Sequence, residues 1–225
     1  MFGTIVNALA IIAGTAVGCL LRKGLPERIR NTLMSGMGLC VVLIGMRGAL
    51  KTESEMLVIL CVVLGGLLGA ALKIEQRLDE LGHRLESCFT KENNGTFGKA
   101  FVTATLMFCV GAMAIVGSMD SGLRGDHATL LAKSVLDGVS SVIFSSMMGV
   151  GVALSAVSVF LYQGAITLLA TVVSPLLTGR VINEMGAVGG LLVIGIGLNM
   201  IRKEHIPVGN LLPAIFLPLL LTRFM

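Results

Sequence analysis

The chain has 225 residues, 55% hydrophobic and 13% charged, with a formal net charge of +4 and a mean hydropathy of +0.92. A soluble domain carries about 25% charged residues, so the composition excludes that class and indicates an integral, all-α membrane protein. The positive balance does not point to nucleic acid, because Lys and Arg sit in short loops between apolar runs.

The first expected span covers about 3–21 and stops at Arg22-Lys23. No basic region precedes it, so a cleaved signal peptide is not expected. The second covers about 32–46, is rich in glycine and ends at Arg47. The third covers about 56–72. The only long polar segment follows, 73–99. Its start, KIEQRLDELGHRLESCF, spaces Ile74, Leu78, Leu81, Leu85 and Phe89 by three and four residues, which predicts an amphipathic helix on the membrane or on a partner. Asn93-Asn94-Gly95 predicts a loop. The fourth span covers about 100–119, interrupted by glycines, and a polar turn is expected over 120–126.

No charge occurs from Gly138 to Gly179, about twice the ~20 residues of one crossing. The chain is expected to cross, turn and cross back here, giving the fifth and sixth spans. Gly149-Val150-Gly151 is the first candidate for the hinge and Tyr162-Gln163-Gly164 the second. The seventh span covers about 181–201. The eighth covers about 208–221 and contains Pro213 and Pro218, which imply a break. The expectation is a polytopic bundle of seven to eight spans.

Shifting the chain by 152 residues lays RIRNTLMSGMGLCVVLIGMRGALK (28–51) over RVINEMGAVGGLLVIGIGLNMIRK (180–203) without gaps. Arg28/Arg180, Asn31/Asn183, Gly38/Gly190, Gly45/Gly197 and Lys51/Lys203 are among the identities. The eight-span count makes these repeats inverted, a common plan of secondary transporters. The chain then divides into repeat one (1–72), the amphipathic helix and loop (73–99), central spans (100–151) and repeat two (152–225), all in one transmembrane domain. With the N-terminus outside, inner loops hold eleven Lys and Arg and outer loops five, Lys133 apart. The positive-inside rule then puts both termini outside and 73–99 in the cytoplasm, and a seven-span count would move the C-terminus inside.

At KSVLDGVSSVIF (133–144), GVGVALSAVSVFLYQG (149–164) and FCVGAMAIVGS (108–118), the chain resembles the YqgA-like family of uncharacterised bacterial inner-membrane proteins. The resemblance covers the whole length. It implies a multi-pass protein of the bacterial inner membrane, in a family described as candidate sodium channels or pumps, and brings no agreed site residues.

Lys133, Asp137, Ser141, Ser145 and Gly149 recur every four residues and form one stripe on a helix. Gln163, Thr167 and Thr171 form a second. An ionised carboxylate near a helix centre costs about 2.5–3.5 kcal/mol on insertion scales, so it normally faces a cavity or a partner. Asp137 is therefore the main candidate for a cation or proton site, with Ser140 and Ser141 as further oxygen ligands. A structural Lys133–Asp137 pair near the outer interface is the other reading. A span starting at Ala128 puts Asp137 about 14 Å along it, near the midplane; a start at Lys133 leaves it at the interface.

Gln163 and Asn199 are candidates to line the path, and Lys133 and Arg47 for pairing or gating. Gln163, Asn7 and Asn199 also read as ties between helices, Asn31 and Asn183 as caps, and the serines as donors to the carbonyl one turn back. The five cysteines lack C-x-x-C spacing and read as buried thiols. His83, His127 and His205 have no metal spacing. No nucleophile motif is present, so neither an enzyme nor a cofactor is expected.

The function expected is passage of a small solute, most simply a monovalent cation such as Na⁺ or H⁺. The partners are the lipid bilayer and that ion or solute, and assembly into a homo-oligomer is compatible with the sequence. A non-transporting signalling or assembly component acting through 73–99 is the alternative, and an anion or organic-solute path using Arg47 and Lys133 is the third.

Overall fold

A computed structural model describes residues 1–22, 27–89, 96–109, 111–202 and 205–223. In chain order its elements are α1 (Phe2–Arg22), α2 (Glu27–Ala49), α3 (Glu55–Ala71), α4 (Ile74–Phe89), α5 (Thr96–Cys109), α6 (Ala112–Leu123), α7 (Ala128–Met148), α8 (Gly151–Leu168), α9 (Ala170–Val173), α10 (Gly179–Ile201), a 3₁₀ segment (Val208–Phe216) and α11 (Pro218–Leu221). The described residues contain no strand, so the protein is all-α. It forms two compact units. The first comprises Met1–Arg30, Leu78–Cys109 and Met113–Ser174, and most of the second lies in Asn31–Arg77 and Pro175–Met225.

In the first unit α1 and α7 lie side by side and run the same way. Gly3 faces Leu130, Gly14 faces Gly138 and Ser141, and Gly18 faces Val142 and Ser145. Gly14 and Gly18 are one turn apart, and a Cβ on Gly18 would collide with the Ser145 hydroxyl. Small residues bring the backbones into van der Waals contact, the main attraction available to helices in lipid. At Gly149 the backbone takes φ 91°, where glycine has no Cβ to strain. The chain turns there, at the first of the two hinge candidates, while α8 runs unbroken through Tyr162-Gln163-Gly164.

The fourth span is split into α5 and α6. Gly151, at the start of α8, packs on Phe97 and Ala100 of α5, and Gly122 of α6 packs on Thr167 and Ala170 near the other end of α8. The two short helices together accompany α8 along its length. α6 continues to Leu123, so the expected turn at 120 begins four residues later, with Gly125 at φ 68°.

In the second unit α2 and α10 are antiparallel. A Cβ on Gly45 would lie 2.6 Å from the Gly190 carbonyl oxygen, and one on Gly38 would lie 2.9 Å from that of Gly197. α2 passes through Arg47 to Ala49, so the second span does not stop at Arg47. α3 packs antiparallel on the 3₁₀ segment, Gly65 against Ala214 and Gly69 against Asn210. The chain then bends by 55° into α4 at Lys73, which takes a left-handed φ of 53°.

Five helices are long and apolar enough to cross a membrane, or seven if each bent pair is one span. The expected eighth span, 208–221, is not among them. Those 14 residues form a short apolar segment, because Pro213 removes a backbone donor and most of the stretch winds as 3₁₀ helix. The predicted Asn93-Asn94-Gly95 loop and Lys23 of the predicted Arg22-Lys23 stop fall outside the described residues.

Candidate functional site

Four predicted residues meet in the first unit. Lys133 Nζ donates to Asp137 Oδ2 at 2.6 Å. Asn7 Nδ2 of α1 donates to the same oxygen at 2.9 Å, and at 3.4 Å to Gln163 Oε1 of α8. Asn7 and Gln163 are 0% exposed, Lys133 5% and Asp137 6%, which rules out a solvated surface pair. α7 begins at Ala128 and has 21 residues, so Asp137 lies about 14 Å along a helix of about 30 Å. Asp137 therefore both pairs with Lys133 and sits at mid-helix.

The polarity of the group is not fully satisfied within the protein. Asn7 Oδ1 and Gln163 Nε2 are buried with no hydrogen-bond partner, as are the hydroxyls of Thr4 and Thr15 on α1 and Thr167 on α8. A dry, unpartnered polar atom costs about 1–3 kcal/mol. Five such atoms lie on α1 and α8, and two of them, on Asn7 and Gln163, belong to the group around Asp137. Thr4 and Asn7 are one turn apart on α1, and Gln163 and Thr167 one turn apart on α8, so each helix contributes a stripe rather than a point.

Ser141 and Ser145 are buried on the Asp137 face of α7 and donate to the carbonyls one turn back, of Asp137 and Ser141, at 2.7 and 2.6 Å. Ser140 is half-buried on the neighbouring face. The second stripe ends at Thr167, because α8 stops at Leu168 and Thr171 is exposed.

Two predicted residues belong to the second unit. Asn199 Nδ2 donates to the Ile206 carbonyl and its Oδ1 accepts from the Ile206 N–H, both at 2.8 Å, so the amide closes the loop after α10. Arg47 is exposed in the last turn of α2. The capping expectation for Asn31 and Asn183 is also corrected. Both lie inside helices; Thr178 caps α10, and Asn183 donates to Glu53 Oε1 at 3.2 Å. Of the thiols, Cys61 is buried but Cys40 is exposed.

Glu184 was missed. It is fully buried, and its carboxylate accepts from Thr52 Oγ1 at 2.6 Å and from the Glu53 N–H at 2.7 Å, anchoring the α2–α3 loop. The available signal was its being the sole charged residue between Arg180 and Arg202. Among the described residues no group of three or more His, Cys, Asp or Glu could hold a metal ion.

Comparison with known proteins adds a family and no activity. A family described as "Protein of unknown function (DUF554)" matches residues 2–223. The chain is 34% identical over 222 residues to "Uncharacterized membrane protein YdfK" of Bacillus subtilis (strain 168), covering 97% of this chain and 94% of the relative. It is 31% identical over 221 residues to "Uncharacterized protein YqgA" of Escherichia coli (strain K12), covering 96% and 94%. No solved structure matches it significantly.

Proposed function

This chain belongs to the DUF554 family, and from that premise and the geometry of its first unit we propose that it passes a small solute, most simply a monovalent cation, through a bacterial inner membrane as a channel or carrier. The observation that carries the reading is the buried Lys133–Asp137–Asn7–Gln163 group at mid-helix. A tie between helices needs only its own hydrogen bonds. This group leaves an amide oxygen and an amide N–H unpartnered beside a carboxylate, with unpartnered hydroxyls one helical turn from Asn7 at Thr4 and from Gln163 at Thr167. Carboxylate, amide and hydroxyl oxygens are hard ligands suited to an alkali cation or to a proton-carrying water. An anion path is disfavoured, because Asp137 neutralises Lys133.

The packing of the second unit supports an inverted-repeat plan. Under the 152-residue shift Gly38 corresponds to Gly190 and Gly45 to Gly197. The contacts are crossed: Gly38 meets Gly197 and Gly45 meets Gly190. Reciprocal contact between antiparallel copies is what a two-fold relation between the repeats produces. The shared direction of α1 and α7 suits their roles as first and fifth spans. The N-terminus then lies outside and α4 faces the cytoplasm, in line with the Lys and Arg bias, and a count of seven spans puts the C-terminus inside.

The test is ion flux in proteoliposomes with Na⁺, K⁺ and H⁺ gradients. The wild-type protein passes at least one of these ions and Asp137→Asn does not. Passage of none, or a mutant that behaves as wild type, overturns the proposal. Deleting 75–94 separates this reading from a signalling role, because it leaves flux intact under the first and abolishes function under the second.

A further inference from the structure

The Asn7 amide is held in one orientation. Its Nδ2 donates to Asp137 Oδ2 at 2.9 Å; turned over, it would set Oδ1 against a carboxylate, acceptor against acceptor. That orientation leaves Oδ1 buried without a donor. Gln163 on α8 is fixed in the same way. Its Oε1 accepts from Asn7 Nδ2 at 3.4 Å, and turning it over would bring two N–H donors together. Its Nε2 is left buried without an acceptor. Both side chains are 0% exposed. One amide therefore lacks a donor, its neighbour lacks an acceptor, and the two already touch through a single long bond. A second bond, Nε2–H to Oδ1, would satisfy both atoms at once and complete a paired-amide ring. A tie between helices gains from closing that ring. The pair stands one bond short of it.

Resting on the cation-site reading above, we propose that Asn7 Oδ1 is the second oxygen of the site beside Asp137, and that Gln163 Nε2 competes with the cation for it. With no cation on Oδ1 the amides close into the two-bond pair. A cation on Oδ1 takes the lone pairs that Nε2 would use and holds the pair in its one-bond form. Asn7 is then a ligand and Gln163 a positioning residue, and the amide pair carries occupancy from α7 to the contact between α1 and α8. No proton moves. An amide oxygen is a hard ligand of the kind such cations take, whereas the N–H presents the positive end of its dipole. The Lys133 ammonium stays on Asp137 Oδ2 and weakens the hold on a second cation, which suits a site that must also release its ion.

The experiment titrates NaCl, KCl or LiCl into the purified protein at fixed pH, with choline chloride holding the ionic strength, and reads affinity from the concentration dependence of the unfolding temperature. Wild type is stabilised by at least one of the three. Gln163→Met removes the competitor and binds that cation about two- to tenfold more tightly, the worth of one hydrogen bond. Asn7→Leu removes the oxygen and binds about tenfold more weakly or worse. A merely structural tie moves both variants the same way. The wild-type chain gives a second readout that needs no variant. Its glutamines are Gln76, exposed on α4, and Gln163, so labelling the glutamine side-chain nitrogens resolves one amide pair for each by NMR. The cation shifts the Gln163 pair, with the midpoint seen in unfolding, and leaves Gln76 in place. Gln163→Met binding no more tightly than wild type, Asn7→Leu binding as wild type, or a Gln163 pair that ignores the bound cation overturns the competition and leaves the cation at Asp137 standing. Failure of every cation to bind overturns both.

Discussion

Replacing Lys133 with Met tests whether the ion pair at the centre of the first unit is as buried as its geometry implies. The substitution conserves length and removes the ammonium 2.6 Å from Asp137 Oδ2, leaving a carboxylate whose side chain is 8% exposed. Removing one partner of a buried pair costs about 3–5 kcal/mol, because the remaining charge is uncompensated. The Asn7 hydrogen bond survives, so the lower end, about 3 kcal/mol, is expected. A chain of this size shifts its unfolding midpoint by about 2–4 °C per kcal/mol, which makes the expected loss about 6–12 °C in detergent. The double variant Lys133→Met with Asp137→Asn removes both charges and keeps an acceptor for Asn7. It recovers to within about 1 kcal/mol of wild type. The double variant also separates structure from function: a merely structural pair predicts a stable protein with normal flux, whereas a carboxylate that binds the cation predicts a stable protein with none. A loss under about 1 kcal/mol in Lys133→Met would refute the burial argument.

Three further outcomes follow from the packing. Gly18→Val drives a branched side chain into the Ser145 hydroxyl and the Val142 carbonyl and lowers stability by about 3 kcal/mol or more, while Gly36→Ala, with open space around it, is neutral or stabilising by up to about 1 kcal/mol; thermal unfolding of the two variants side by side checks both. Glu184→Gln sets an amide against donors that now face a carboxylate and costs about 1–3 kcal/mol, read as faster hydrogen exchange at the Glu53 amide. Lys73→Gly relieves the left-handed φ of 53° and, after glycine's entropic cost, raises the midpoint slightly rather than lowering it; a fall of several degrees would contradict the strain argument.

What could be read from the sequence was whatever local chemistry fixes. Lys133 and Asp137 are one helical turn apart, so their pairing needs no knowledge of the fold. The Gly149 turn was legible because an uncharged stretch twice the bilayer thickness must fold back, and glycine marks the cheapest place. The rest depended on contacts between distant residues. Asn7 lies 130 residues from Asp137, and nothing near Asn7 distinguishes it from Asn199, whose amide closes a local loop instead. Asn199 and Asp137 fall in different compact units. Glu184 escaped because its partners, Thr52 and Glu53, lie across the α2–α3 loop. At 208–221 hydropathy and backbone geometry part: the stretch is apolar, but with Pro213 inside it is short and mostly wound as 3₁₀ helix.

The account rests on water reaching the polar atoms of α1 and α8, and thiol accessibility measures that most directly. Thr4, Thr15 and Thr167, each with a buried and unpartnered hydroxyl, are replaced one at a time by Cys in a background without other cysteines, and a small charged, membrane-impermeant thiol reagent is added from either side. The account predicts reaction at Thr4→Cys and Thr167→Cys, accelerated or slowed by saturating cation, and no reaction at Leu161→Cys, whose apolar side chain is exposed on an uncharged stretch of α8. Inert cysteines at all three threonine positions from both sides would mean that hydrocarbon packing seals the group, and the permeation path would be contradicted.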